Sequence, residues 1–437
     1  MHCKTFFLAT LIACLACSKD AGEDLTSAQK KAFQDHMHSG MSYLHEEKYF
    51  KAAQKFQQAI QAVPRSAEAY YYLGLTYAGQ NSPREARKAY VRALDLKPDF
   101  AQAHCHLGLL YLRQRKHRDA EAELKRAILL KPDLTQALNG LGELLNAEGR
   151  LDEAVAAFKK VLTLSAGDPE AHFGLGVAYK KQDRKRAAIT EFQQTLASDS
   201  SYIEAHFNLG NLYLRLGDHD TGSKELQLFE KLRAEREEID RLRTFALTNP
   251  KLAAAYYDLG LAYSRQKKYA DAVKAFATAL AIGPPSGDLF YAQGIAHQML
   301  GQLTEARTAY LSAMELNRDW AAPHNRLGTV FAQGKLYEQA IIEYSRAVAI
   351  DPDFVEAYDN LGLAYAQIGL DDRSVTAYQE ALRIDPEFIP ARYHLGLAYA
   401  RQHLVVEAVQ TFQRVLDLDP NFTAAAQQLA VLHASKR

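Results

Sequence analysis

Cysteine is scarce and unevenly placed. Cys3, Cys14 and Cys17 fall at the N-terminus and only Cys105 lies beyond them. No internal disulfide framework is available once that end is set aside. A charge bias is also missing: 52 Lys plus Arg balance 52 Asp plus Glu. That balance gives neither nucleic acid nor an acidic membrane surface an electrostatic hold. Beyond the N-terminus no apolar run is long enough to cross a bilayer. Catalytic patterns are absent too, with no Gly-x-Ser-x-Gly and no Asp-Phe-Gly. "GLGVAY" from Gly174 is half of a phosphate-loop pattern, but it sits inside a predicted helix and follows no strand. His104 and His106 flank Cys105, yet residues two apart on a helix diverge by about 160° and cannot share one ion. Acid pairs such as Asp218 and Asp220 fall in an inter-helix turn. We therefore expect no enzyme, no metal and no cofactor.

The N-terminus reads "MHCKTFFLATLIACLACSKD". Lys4 precedes an apolar run from Phe6 to Ala16, and a polar segment follows. The run is too short for a permanent span but suits the apolar core of a signal peptide. Small residues before cysteine, "LIAC" and "LAC", resemble a bacterial lipobox. That resemblance implies a lipidated cysteine at the mature N-terminus. Cys17 fits the usual length and the polar sequel Ser18-Lys19-Asp20. Cys14 is the alternative, with the better upstream "LIA" but a very short signal. A plain secretory signal is the remaining option. Residues 1–17 are expected to be the signal peptide, and 18–32 a tether with the start of the first helix. The expected location is the cell envelope, lipid-anchored and facing the periplasm, with secretion as the alternative.

What the chain has in abundance is a period of 34. Glycine falls at Gly40, Gly74, Gly108, Gly142, Gly176 and Gly210, and again at Gly260, Gly294, Gly328, Gly362 and Gly396. Twelve residues after each comes a small residue, as at Ala52, Ala86, Ala120, Ala272 and Ala408, with Gly222 and Ser374 as variants. Four further on an aromatic recurs: Phe56, Tyr90, Phe158, Phe192, Phe276, Tyr310, Tyr344, Tyr378 and Phe412. Proline closes most units, as at Pro64, Pro98, Pro132 and Pro284. "AEAYYYLGLTYAG" has apolar residues at helical spacing, "QNSP" breaks it and "REARKAYVRALDL" resumes. Each unit is thus two helices, with breaks elsewhere at Gly149, Gly217, Gly301, Gly334 and Gly369. Glycine and alanine let facing helices approach to roughly 8 Å. Glycine inside a helix costs about 1 kcal/mol against alanine, so close packing must offset it.

The pattern resembles the tetratricopeptide repeat family from about Phe33 to Arg437. The unit "YYDLGLAYSRQKKYADAVKAFATALAIGP" carries the family's Leu259-Gly260, Tyr263, Ala272, Phe276, Ala279 and Pro284. The resemblance implies an all-α, right-handed superhelical solenoid of about eleven helix hairpins plus a C-terminal capping helix. Repeats 1–6 begin over 33–220, an extended helix with a 16-residue insert covers 221–249, repeats 7–11 follow over 250–420, and the cap occupies 421–437. The insert reads as one long helix projecting past the stack, ended by Asn249-Pro250. Its apolar stripe is Leu228, Leu232, Ile239, Leu242 and Ala246, interrupted by Glu235. A homodimer contact through this helix is one possible use.

The resemblance places the first helix of each pair on a concave face. Its outward residues lie three before, one after, and four or five after the glycine. The apolar set is Tyr71, Leu75, Leu109, Phe173, Val177, Phe207, Tyr257, Leu261, Tyr291, Ile295, Tyr393 and Leu397. The polar set is Asn139, Asn146, Lys180, Lys181, Asn211, Arg215, Arg265, Asn325, Asp359 and Arg401. Such a groove suits an extended peptide or another protein. The family's carboxylate clamp is not expected, because Met37 and Met41 stand where it needs Lys and Asn, and Phe207 accompanies Asn208 and Asn211. The expected function is a protein-binding scaffold or adaptor, bound to the membrane only through its lipid and not to nucleic acid. The alternatives are a non-catalytic recognition subunit of an enzyme or secretion complex, and a self-associating structural protein.

Overall fold

The computed structural model describes residues 25–46 and 48–434. The candidate leader 1–17, with Cys14 and Cys17, lies outside them, as do residues 18–24 of the tether. The described residues form 23 α-helices. The chain divides into two compact units, Met1–Leu232 and Arg233–Arg437.

In the first unit the hairpins are α1 (Ser27–His45) with α2 (Tyr49–Ala62), α3 (Ala67–Gly79) with α4 (Pro83–Leu96), and α5 (Ala101–Arg113) with α6 (His117–Leu130). They continue with α7 (Thr135–Glu148) and α8 (Leu151–Leu164), α9 (Pro169–Lys181) and α10 (Lys185–Ser198), and α11 (Ile203–Arg215) with the first half of α12 (His219–Thr248). The second unit begins within α12. Its hairpins are α13 (Ala253–Arg265) with α14 (Tyr269–Ile282), α15 (Gly287–Met299) with α16 (Leu303–Leu316), and α17 (Ala321–Gln333) with α18 (Tyr337–Ile350). The last two are α19 (Val355–Gln367) with α20 (Asp371–Ile384), and α21 (Ile389–Arg401) with α22 (Val405–Leu418); α23 (Thr423–Ala434) caps them. Helix starts follow ordinary capping chemistry. Ser66, Asp168 and Ser286 accept from the backbone N–H three residues on, and Thr26 forms a full capping box with Gln29.

The periodic glycines are explained by their neighbours. A Cβ built on Gly260 would lie 2.4 Å from Phe276 Cε1, on Gly362 2.5 Å from Tyr378, and on Gly40 2.7 Å from Phe56. The same contact recurs in nine hairpins, with Leu124 and Leu226 in the ring's place opposite Gly108 and Gly210. These rings are fully buried, so they cannot swing aside. The alanine twelve residues after the glycine is likewise at 0% exposure at Ala52, Ala86, Ala272 and Ala408. Neighbouring repeats join the same contact: a Cβ on Gly174 would meet the Phe158 ring at 2.2 Å from the following hairpin.

In ten hairpins the break between paired helices is set by a left-handed residue seven positions after the glycine. Gly149, Gly217, Gly301 and Gly369 supply it, but so do Asn81, Arg115, Asp183, Lys267, Lys335 and His403. Gly334, expected to be the breaker of its hairpin, instead has φ −81°, and Lys335 takes φ 60°.

The 30-residue α12 corrects the expectation of a projecting helix. Its first half is the second helix of its own hairpin, with His206 to Glu225 at 2.6 Å and Leu226 against Gly210. Its second half packs on α13. Ile239 and Ala246 are buried there, and Leu242 is half-buried against the same cluster. Arg243 donates to the Tyr263 hydroxyl at 3.0 Å, twenty residues on. Gln57 to Tyr77, Gln193 to Tyr213 and Gln379 to Tyr399 make the same bond at the same spacing from second helices. The insert therefore supplies an extra second helix, fused to the one before it. Three residues of the expected docking stripe are used inside the second unit and are not available to another copy.

Four hairpins carry a further tie. The first-helix histidines His104, His172, His206 and His324 meet Glu123, Glu191, Glu225 and Glu343 at 2.5, 2.7, 2.6 and 2.7 Å. Nε2 of His104 also faces the Pro98 carbonyl at 3.0 Å. Burial works against a charge on His104, but the Glu123 carboxylate and the Pro98 carbonyl outweigh it and raise the ring above its ordinary value. His106 goes the other way, lowered chiefly by burial, with Nδ1 against the Gln102 carbonyl. The two histidines beside Cys105 thus serve separate contacts. Burial pushes the Cys105 thiol up to about 12.

Two outcomes follow. Gly260→Ala gains about 1 kcal/mol of helix propensity but overpacks a fixed ring, for a net loss of about 1–3 kcal/mol. Urea titration followed by circular dichroism checks this, and a more stable variant contradicts the packing account. The charge on His104 stabilises fully below its unfolded pKa of about 6.5 and fades as pH rises through its higher folded value. The urea midpoint should therefore fall on going from mildly acidic to alkaline pH, and Glu123→Gln should flatten part of that slope. An unchanged slope removes the tie from the stability of the hairpin.

Candidate partner-binding face

Within each unit the first helices of neighbouring hairpins touch one another. The contacts run α1 to α3, α3 to α5, α5 to α7 and α7 to α9, and again from α13 through α15, α17 and α19 to α21. The first helices therefore form the tighter, inner side of each stack, and residues from successive repeats meet there at spacings near 34.

The register three before the glycine proves to be largely a packing register. Tyr71 is 8% exposed, with its ring 4.9 Å from Phe100 of the next repeat. Phe173 lies 4.8 Å from Tyr202, Tyr291 4.7 Å from Trp320, and Tyr393 5.1 Å from Phe422. Each of these also touches the aromatic of its own second helix, and Tyr257 packs on Phe276 at 5.9 Å. The rings of Tyr71, Phe173, Tyr291 and Tyr393 join one hairpin to the next; Tyr71 is buried, and Phe173, Tyr257, Tyr291 and Tyr393 are only half-exposed. Phe207 differs: it is 45% exposed, with its ring on Phe229 at 5.0 Å. Asn139 and Asn325 are buried in this register, bonded to Asp168 and Asn360 at 3.1 and 3.0 Å. Asp359 is buried against His394 at 2.7 Å. Tyr71, Asn139, Asn325 and Asp359 are thus structural ties and not open groove surface.

One position after the glycine, Leu75, Leu109, Val177, Leu261, Ile295 and Leu397 are half-buried against the core. Asn211 caps the Phe207 carbonyl of its own helix at 2.7 Å. Four or five positions after it the side chains are mixed. Asn146 is buried and donates to the Gly174 carbonyl at 2.9 Å, leaving its Oδ1 without a partner. Lys180 donates to Asn208 and Lys181 to the Asn146 carbonyl. Arg215, Arg265 and Arg401 are exposed; Arg265 pairs with Glu238 at 2.7 Å, and Arg401 lies 3.4 Å from Asp371.

The structure thus gathers Asn146, Lys180, Lys181 and Arg215 on one stretch of the first unit. In the second, Leu397 and Arg401 border a cavity of about 380 Å³ with Leu363, Tyr378, His394 and Gln428. Sequence reasoning missed Asn208 and His394, which sit two before the glycine, a register left out of the outward set. Their signal was their spacing of 28 from Lys180 and 35 from Asp359. Acids lie toward the starts of the same helices, Glu170 and Glu204 in first turns and Glu143 at mid-helix. Burial raises the Glu143 carboxyl, and Glu170 adds to it.

Tetratricopeptide repeat models match residues 105–169, 145–201, 253–286 and 390–421, and further ones match 84–114, 203–235, 330–369 and 371–402. Together they cover more than half of the chain. No curated protein matches it in sequence. Solved structures that resemble it include Pseudomonas aeruginosa PilF, at 19% identity over 48% of this chain and 100% of that one, TM-score 0.43. The Cut9–Hcn1 heterotetramer of the APC/C matches at 12% identity over 92% and 96%, TM-score 0.40. Yeast Tom70 matches at 16% identity over 93% and 96%, TM-score 0.39. With its glycine–ring hairpins and these repeat matches, the chain belongs to the tetratricopeptide repeat family of protein-binding scaffolds.

Proposed function

We propose that this protein is a non-catalytic scaffold of the bacterial cell envelope, anchored by a lipid on Cys17 and facing the periplasm. Its first-helix faces hold segments of partner proteins. The observation that carries the binding role is the convergence of polar groups from different hairpins on the inner surface of each unit: Asn146 with Lys181 and Lys180 with Asn208 in the first, Asp359 with His394 in the second. Side chains so placed can grip a chain laid across several repeats at once. The second helices carry isolated exposed apolar residues such as Leu129 and Val406, at 70% and 57%. Single exposed apolar residues are ordinary surface. The envelope assignment rests on the leader sequence and its lipobox-like cysteines. Among the described residues no helix is long and apolar enough to cross a membrane.

Photo-cross-linking residues placed at Asn211 and Arg265 should trap a partner in intact cells, and the same residues at Leu129 and Val406 should not. Equal trapping from both faces would remove the inner face as the binding surface. Tritiated palmitate should label the chain, and Cys17→Ser should abolish the label while Cys14→Ser keeps it. Label that survives loss of both cysteines sinks the lipid anchor.

A further inference from the structure

Three cations on the inner face of the first unit stand together without an anion. Lys180 and Lys181 end α9 and Arg215 ends α11. The acceptors that Lys180 and Lys181 reach, Asn208 Oδ1 and the Asn146 carbonyl, are neutral. Among the described residues none of the three cations has a carboxylate within ion-pair distance. Burial first, then the neighbouring charges of Arg215 and Lys181, lower the Lys180 ammonium below its ordinary value. The same last-turn register in the second unit is neutralised, Arg265 by Glu238 at 2.7 Å and Arg401 by Asp371 at 3.4 Å. A helix C-terminus favours one cation at each such place. It does not account for three within range of one another and no counter-charge.

A second observation lies beside them. Asn146 is 6% exposed, with its Oδ1 unpartnered. A buried acceptor without a donor costs about 1–3 kcal/mol. Next to it, the cations lack an anion. An extended chain offers both complements, backbone N–H groups and carboxylates. Toward their starts the same helices carry acids that repel such a charge: Glu170 and Glu204 lie in the first turns of α9 and α11, Glu143 lies one turn before Asn146 in α7, and all three bear on Tyr202.

We propose that the inner face of α7, α9 and α11 binds an acidic stretch of a partner protein, whose carboxylates neutralise Lys180, Lys181 and Arg215 at the C-terminal ends of the helices. This rests on the inner-face reading above and gives it a partner chemistry. The carboxylates can come from Asp and Glu side chains or from a chain terminus.

Fluorescence anisotropy on the full chain tests this with three labelled probes. They are a peptide of alternating glutamate and alanine with an amidated C-terminus, its glutamine counterpart, and that counterpart with a free terminal carboxylate. The glutamate peptide should bind, weaken with salt, and weaken at least about tenfold in the triple variant Lys180→Gln, Lys181→Gln, Arg215→Gln. Lys159→Gln, exposed on the second helix α8, should leave it within about twofold. Binding confined to the free-terminus peptide, lost in the triple variant, keeps the proposal and assigns the terminal source. A melting curve of the triple variant checks that it is folded at the temperature of the binding measurement. The proposal is overturned if the amidated glutamate and glutamine peptides both bind with equal affinity, if none of the three probes binds, or if a labelled single-stranded oligonucleotide binds more tightly. It is also overturned if the triple variant binds unchanged. In any of those cases, cross-links from Asn211 that persist leave the scaffold reading standing. Peptide binding without such cross-links removes that reading and keeps the site.

Discussion

In nine hairpins a glycine on the first helix touches the edge of a ring on the second, and in two it meets a leucine, with no room for a methyl group between them. The other regularities follow from that contact. The helix pair must close to the short end of interhelical distances. The facing position on the second helix must then be alanine or something equally small, as Ala52 through Ala408 and Ser374 are. The turn between the helices must bring them back antiparallel at that distance, and one left-handed residue at a constant register does so. Because each hairpin buries its rings partly against the next, no single unit completes its own core, and stability is shared between neighbours.

The hairpins were legible in the sequence because glycine, alanine and aromatic residues recur at fixed offsets, and each offset has a steric cause. The inner face was read less well, for a physical reason. Packing and exposed positions recur with the same period, so periodicity cannot tell them apart. Tyr71, Phe173, Tyr291 and Tyr393 sit at an outward-looking register, yet each ring is taken up by an aromatic 29 residues on. Asn139, Asn325 and Asp359 are drawn in by polar partners of the next repeat. Pairs at 28, 29 and 35 residues carry this information, and a single-repeat template does not contain them.

The interruption after the sixth repeat was visible in length but misread in direction. Pro250 lies ten residues before Gly260, as Pro64 does before Gly74. The residues ahead of it therefore already sat in the register of a second helix. The bond from Arg243 to Tyr263 confirms that placement. An insert of about four and a half turns is tolerated because it repeats an element the architecture already uses.

The left-handed turn residue has a consequence for how this chain drifts over generations. A non-glycine residue there carries a backbone penalty of about 1–2 kcal/mol, less for Asn and Asp. Arg115, Lys267, Lys335 and His403 each carry it in a different hairpin. In a globular core such costs would draw on one shared reserve. In a stack with nearest-neighbour cohesion each is borne locally. Exposed turns can thus exchange residues freely so long as the burdens stay dispersed, while two in one hairpin would make it the place where the stack opens.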